Sequence, residues 1–454
     1  MKKALIISLA FPPIPYVGVF RITKFCKYLP ETGWKPSVLT QKAKKFYEGM
    51  DWSPLEDIGK DIKIIRTSNF QPLYWWDHRH SANRSSGETS FGKPEGLMPV
   101  KTLTFGFFIK NKIKKSFQFL RKLIAVPDER MAWIPQALAP AIRYMNREKI
   151  DIIFSSSPSP TNHILGYLLS IFYRSPHVID FRDLWMEGNI LRNLPVSLIK
   201  LGMLFEKLIL RHSKRIIVVN KTLKRQLLHA YPDISKNKVE VIYNGFDEDD
   251  FRKIKLPERK NEFFTILYAG GIYGYRNPDF FFKCLSEWVK SDDRLKSSIR
   301  VKFYGANSSA HLAELEKSGL NSIVSFLPRV TRNEILQILF SADLSLLLHG
   351  LDKRAESSTS TKLFEYLATG KPILAFMPES EASEILRKYS NSCVVSSPDI
   401  EKVIQFLDQA YKSWLCEKEP GSFKWNFPPE FSRKYQAYQL AAVFDSVMDG
   451  VKKN

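Results

Sequence analysis

Cysteine is scarce in this chain: Cys26, Cys284, Cys393 and Cys416 stand far apart among 454 residues. No two have the short spacing of a zinc site and the set forms no disulfide framework, so neither metal nor cross-links are expected to hold the fold, and a reducing compartment fits best. No uncharged apolar run reaches the length of a membrane-spanning helix. A zinc-finger pattern, an RNA-recognition signature and a clear recognition helix are also missing, which leaves little support for a nucleic-acid-binding protein. The opening Met1-Lys-Lys-Ala-Leu-Ile-Ile-Ser-Leu-Ala-Phe11 begins like a secretory leader, but Pro12, Pro13 and Pro15 stand where a small-residue cleavage site belongs. It reads as a buried first strand.

What the chain does have is a globular composition, 44% hydrophobic, and length for two or three domains. Its formal charge of +21 is unevenly placed. Residues 1–243 hold 39 Lys/Arg against 19 Asp/Glu, whereas residues 244–454 hold 29 against 28. A basic first half and a neutral second half point to a polyanionic partner for the first half, either an anionic membrane surface or nucleic acid, or to a merely soluble basic surface.

Short aliphatic runs alternate with longer helical patterns, the signature of parallel strands joined by helices. Strands are expected at Lys3–Ser8, Ser37–Thr40, Ile62–Arg66, Ile150–Ser155, His177–Asp180, Arg215–Val219 and Val239–Tyr243. A second series follows at Thr265–Ala269, Ile299–Tyr304, Ile323–Leu327, Leu344–Leu348, Pro372–Phe376 and Ser392–Val395. Two doubly wound α/β sheets are expected, 1–243 and 263–428, with the seam in 244–262. There Asn244-Gly245 punctuates the chain and the acidic run Asp247–Asp250 reads as a solvated linker or, less simply, as metal ligands. Residues 75–99 read as a polar surface loop. In 107–124, Ile109, Ile113, Phe117, Leu120 and Ile124 share one helical stripe flanked by six Lys/Arg. Such a basic amphipathic helix serves either core packing or contact with an anionic membrane.

The stretch Ser357-Ser-Thr-Ser-Thr-Lys-Leu-Phe-Glu-Tyr-Leu-Ala-Thr-Gly-Lys-Pro372 sets five hydroxyl residues before a short helix. Ser360 or Thr361 is the expected N-cap, and Gly370 with Pro372 the stop. The unpaired amides and positive dipole end at Thr361, Lys362 and Leu363 form an anion site, and Glu365 could accept from a vicinal diol such as ribose. The competing reading makes the hydroxyls a turn and Glu365 a dipole-compensating acid. Gly270-Gly271 after a strand would let backbone approach a ligand, with Arg276 for a diphosphate. The loop Phe326–Glu334 could hold a base. His163 begins a helix near the first sheet's edge, where the strand ending in Asp180 also ends, and could contact either substrate, though a lone histidine is commonly structural.

Taken together, these fragments resemble the GT-B glycosyltransferases, specifically the retaining, nucleotide-sugar-dependent family 4 type. The resemblance rests on Phe11-Pro-Pro13, Lys24–Thr40, Val126-Pro-Asp128 with Trp133-Ile-Pro135, Asp180-Phe-Arg-Asp-Leu-Trp185, Val241-Ile-Tyr-Asn-Gly-Phe-Asp247, Phe303-Tyr-Gly305, Phe326–Glu334, Ala342-Asp343 and Thr361–Pro372. It implies two Rossmann-like domains facing a central cleft, with residues 429–454 returning to the first. It also implies a nucleoside-diphosphate-sugar donor as substrate, with no separate cofactor or metal, and a glycan or lipid-linked acceptor. By resemblance Glu365 grips the ribose, and Gly270, Gly271, Arg276, Thr361, Lys362 and Leu363 surround the diphosphate. Arg329 and Val330 frame the base, and Asp183 projects into the cleft from the acceptor side. Arg276 and Lys362 would stabilise the leaving diphosphate. A cytoplasmic protein, peripheral on the inner face of the membrane, is the expected setting. Two departures, Ser357 where the family places a first glutamate and a lone Gly18 where it places two glycines, suggest as the alternative a scaffold of the same fold that has lost catalysis.

Overall fold

A computed structural model describes residues 1–14, 18–43, 50–70, 126–183, 185, 195–255, 261–272, 276–306, 311–352, 355–356, 359–416 and 427–452. The polar stretch 75–99, the basic segment 107–124, residues 15–17 and Ser357 lie outside them.

Seven parallel strands make the first sheet: β1 (Lys2–Ile7), β2 (Trp34–Gln41), β3 (Lys63–Thr67), β4 (Ile152–Ser156), β5 (His177–Phe181), β6 (Arg215–Val218) and β7 (Val239–Val241). Their order is β3-β2-β1-β4-β5-β6-β7. Six more, β8 (Phe264–Ala269), β9 (Ile299–Tyr304), β10 (Val324–Leu327), β11 (Leu344–Leu348), β12 (Ile373–Phe376) and β13 (Ser392–Val395), run β10-β9-β8-β11-β12-β13. Each expected strand is present, within two or three residues at its ends. Their aliphatic runs are unbroken because both faces are covered: Ala4 to Ile7 are all buried, and so are Leu344 to Leu348.

Among the described residues the helices that cover the first sheet are α1 (Val19–Tyr28), α2 (Trp133–Met145), α3 (Pro160–Tyr173), α4 (Val196–His212) and α5 (Lys221–Ala230). A short α6 (Glu248–Arg252) leads to the second sheet, with α7 (Asp279–Ser291), α8 (Asp293–Ser298), α9 (Leu312–Lys317), α10 (Arg332–Ser341), α11 (Thr361–Thr369), α12 (Glu381–Tyr389) and α13 (Ile400–Cys416). The last helix, α14 (Arg433–Lys452), crosses back. It places Ala437, Leu440, Ala441, Phe444 and Val447 in the core of the first sheet. Phe444 lies edge-on to Trp34 at 5.1 Å and to Phe154 at 5.6 Å. None of the described helices is long and apolar enough to cross a membrane.

Between the sheets the chain is clamped. Phe246 N–H donates to Phe431 O (3.0 Å), and Arg433 N–H donates to Phe246 O (2.8 Å). A Cβ on Gly245 would fall 2.0 Å from Phe431 O, so this crossing needs glycine. The acidic run departs from the solvated-linker expectation. Asp247 is buried, accepts from Tyr28 Oη at 2.5 Å, and pairs with Lys24 (2.7 Å) and Lys27 (3.0 Å). Asp57, Asp247 and Asp250 do approach one another closely enough to share a cation, but the Lys24 ammonium already bridges all three. Three carboxylates need a buried positive charge, and a lysine from α1 supplies it.

Candidate active site

Strand order reverses between β1 and β4 in one sheet and between β8 and β11 in the other. At such switch points neighbouring loops diverge beyond the carboxyl ends of the strands and leave a crevice. In the second sheet, β8 runs directly into Gly270-Gly271, and α11 arrives from β11, so both lead to the same crevice.

The hydroxyl run before α11 divides its work. Ser360 is the N-cap: its Oγ accepts from Lys362 N–H (3.3 Å), and its carbonyl accepts from Leu363 N–H (3.1 Å). Two of the amides expected to hold an anion are therefore already engaged by the cap, and the Leu363 side chain is in the core. Thr361, half-buried, keeps an amide with no partner among the described residues. Thr359 ties the two halves together: its Oγ1 accepts from Asn220 Nδ2 (2.7 Å), and its carbonyl accepts from Asn244 Nδ2 (3.1 Å).

Lys362 is the centre of the arrangement. Its ammonium lies 4.7 Å from the ring centre of Tyr268, whose hydroxyl donates to Gly271 O at 2.8 Å. Gly270, at φ +132°, leaves room for it, since a Cβ there would stand 1.8 Å from Lys362 Nζ. Burial first, and then the positive charge of Arg276, bring the Lys362 ammonium down to about 7, with Glu365 only partly opposing them. Two cations that repel each other inside a crevice, beside a glycine turn and a helix start, provide a site for a diphosphate-sized anion.

Glu365, expected to be free for a diol, instead receives Arg332 Nη1 on Oε1 at 2.6 Å. Its Oε2 has no partner among the described residues. Arg332 opens α10, where Thr331 and Glu334 form a reciprocal capping box. It also lies over the Phe20 ring of α1 (4.6 Å), 3.8 Å from Asp250, and its amide donates to Asp51 Oδ2 (3.2 Å). The Glu365 carboxylate thus faces the junction of the two halves.

On the other side, Arg21 makes a two-pronged pair with Asp180 (2.9 and 3.0 Å) and donates to Tyr243 O (2.6 Å) and Ile242 O (3.0 Å). Ser156 Oγ donates to the same Asp180 at 2.6 Å. Despite burial, Arg21 and then Arg182 hold the Asp180 carboxyl below its usual range. Arg182 packs on Gly18, where a Cβ would meet its Nη1 at 2.8 Å. Asp183 keeps solvent exposure, and desolvation pushes its carboxyl up against the opposing charge of Arg182. Arg433 links the sides: burial, then Arg21, brings it down to about 9, with Glu365 opposing and Arg332 and Arg182 adding to the fall.

Gly270, Arg276, Thr361, Lys362 and Glu365 are thus brought together. Arg329 is exposed and Val330 half-buried, beside Gly305 beyond β9 and β10. His163 is a correction. It is fully buried, stacked on Phe181 (5.2 Å) and Trp185 (5.6 Å), with Nδ1 2.7 Å from Ser155 Oγ. Burial lowers its imidazole to about 3, so it is neutral and shows no surface to a substrate. Sequence reasoning missed Arg332, Arg433 and Lys24. The capping box before α10 was the one local signal for Arg332.

The family model described as Glycosyltransferase Family 4 matches residues 111–250, and that described as Glycosyl transferases group 1 matches residues 264–413. Between them they take in more than half of the chain. The chain belongs to the GT-B glycosyltransferases. Solved structures share this transferase fold at low identity. Sucrose-phosphate synthase from Thermosynechococcus elongatus is 12% identical (TM-score 0.55), the alignment covering 100% of this chain and 98% of that one. The Anabaena protein HepE, solved in complex with UDP-glucose, is 11% identical (TM-score 0.56; 100% and 99% covered). WaaG, a glycosyltransferase involved in lipopolysaccharide biosynthesis, is 12% identical (TM-score 0.53; 99% and 98% covered). No curated protein sequence matches the chain.

Proposed function

We propose that this glycosyltransferase moves a hexose-type sugar from a nucleoside-diphosphate sugar to a hydroxyl of a membrane-associated glycan or lipid-linked acceptor in cell-surface polysaccharide synthesis, with the anomeric configuration retained. The observation that carries the reading is the buried Lys362 ammonium packed against Gly270 at the start of α11, with the Arg276 charge near enough to disfavour its own. The diphosphate takes those two cations and the Thr361 amide, and Glu365 Oε2, without a partner among the described residues, accepts from the ribose while Oε1 stays on Arg332. Arg329 and Val330 border the base.

As the bond from the anomeric carbon to the diphosphate oxygen breaks, negative charge grows on the leaving group. Lys362 and Arg276 stabilise it in a partly dry site, where such charges act strongly. The acceptor hydroxyl forms its bond to the anomeric carbon on the same face, and its proton passes to the departing phosphate oxygen. Asp183 orients the acceptor. UDP-glucose in HepE and the lipopolysaccharide role of WaaG support this choice of donor and acceptor classes.

A thermal-shift panel of nucleoside-diphosphate sugars tests it. At least one is expected to stabilise the protein, and the same compound is expected to be consumed on adding membrane acceptors, with Glu365→Ala and Arg276→Ala abolishing transfer. A panel with no stabilising compound would favour a non-catalytic scaffold.

A further inference from the structure

Helices α3 and α4 lie side by side on the first sheet, joined by Ser170 Oγ and His212 Nε2 (2.7 Å) and by the Tyr167 ring set edge-on to His212 (4.8 Å). Their inner sides are core: Leu165 and Leu169 from α3, Leu198, Ile209 and Leu210 from α4. Their outer sides are apolar too. Leu168, Ile171 and Phe172 on α3, and Met203, Leu204 and Leu208 on α4, are all exposed, Phe172 at 69% and Leu204 at 61%. α3 contains no charged residue. Lone exposed leucines are ordinary, but with Val196 these two helices carry nearly half of the exposed large apolar side chains among the described residues.

The charge beside this patch is predominantly positive. The single acid of α4, Glu206, is buried and accepts from Tyr231 Oη (2.7 Å) and Trp185 N–H (3.2 Å). Lys207 and Arg211 are offset by Asp233. Beyond the carboxyl end of α4, however, Lys214, Arg215 and Lys238 crowd together. Burial first, and then repulsion from Lys214 and Arg215, bring the Lys238 ammonium down to about 8, and burial, then Lys214 and Lys238, lower His212. Lys200 and Arg174 extend the basic margin.

We propose that the α3–α4 face seats the enzyme on an anionic lipid surface, its apolar side chains entering the headgroup boundary and the Lys214–Arg215–Lys238 cluster meeting lipid phosphates. The purpose of this docking, though not the docking itself, rests on the membrane-acceptor reading above. A two-fold dimer through the same face would set one cation cluster against its copy. A nucleic-acid backbone would leave six apolar side chains in water.

The test is co-sedimentation of the full chain with phosphatidylcholine vesicles, with and without phosphatidylglycerol. Two variants accompany it: Ile171→Ser/Phe172→Ser/Leu204→Ser, and Lys214→Glu/Lys238→Glu. The wild type is expected to prefer phosphatidylglycerol vesicles, and each variant to lose about tenfold or more of that partitioning while keeping its nucleotide-sugar thermal shift. If the triple variant misfolds, the charge-reversal variant decides. Unchanged partitioning in the variants, equal binding to neutral vesicles, no vesicle binding by the wild type, or a solution dimer that the triple variant dissolves would each overturn the proposal. A missing nucleotide-sugar shift in the wild type would strike the donor reading instead and leave the vesicle result to judge this face.

Discussion

Donor binding should take up a proton at Lys362. In the free protein its ammonium titrates near 7, far below the ordinary lysine value of 10.5, because burial and the nearby Arg276 disfavour the charged form. A bound diphosphate favours the charged form, so the pKa rises on binding, and between the two values each donor bound carries one proton in. With a free-state pKa near 7, about nine-tenths of the protein holds neutral Lys362 at pH 8 and about one-tenth at pH 6. Uptake should therefore be about 0.9 proton per donor at pH 8 and about 0.1 at pH 6, with affinity strongest below 7 and weakening up to about tenfold per pH unit above it. The diphosphate of a nucleotide sugar is already ionised throughout this range and contributes no proton. Isothermal titration in buffers of different ionisation enthalpy measures the uptake directly. Lys362→Arg, charged at every pH used, should bind without it. Uptake near zero at pH 8, or an undiminished uptake in Lys362→Arg, would refute the reasoning.

Three further outcomes follow from the same geometry. Gly270→Ala places a methyl against Lys362 Nζ on backbone at φ +132°; strain of about 1–3 kcal/mol and a displaced ammonium should lower both the melting temperature and donor affinity. Asp180→Asn leaves the Arg21 charge buried without its carboxylate and should cost about 3–5 kcal/mol in urea denaturation. Because the folded carboxyl is lowered, that contribution is complete above the unfolded value near 4 and is lost as pH falls through the folded one. Arg332→Gln releases Glu365 Oε1 and uncouples α10 from Phe20; the donor KM should rise about tenfold or more if one charge-assisted hydrogen bond holds the carboxylate in place.

The strands were legible because parallel sheets bury both faces, so aliphatic runs such as Leu344–Leu348 announce themselves without tertiary information. The start of α11 was legible for a local reason too: Ser360, Gly370 and Pro372 are stop and start signals within one helix. The pairings were not. Arg332 meets Glu365 across 33 residues and Phe20 across the whole gap between the halves, and nothing in either segment's pattern announces the other. Asp247 looked solvated beside Asn244-Gly245, but its partners Lys24 and Tyr28 come from α1, more than two hundred residues earlier. His163 reads as a polar residue at a helix start; only the fold shows that Phe181 and Trp185 enclose it.

The central claim, that the start of α11 with Lys362 and Glu365 cradles a sugar nucleotide, is tested most directly by titrating the stabilising nucleotide sugar into wild type, Lys362→Met and Glu365→Gln. A loss of tenfold or more in affinity in each variant, with the fold intact by circular dichroism, is the result expected from removing a charge-assisted contact of about 1.5–3 kcal/mol. Wild-type affinity in both variants would place the donor elsewhere and contradict the account.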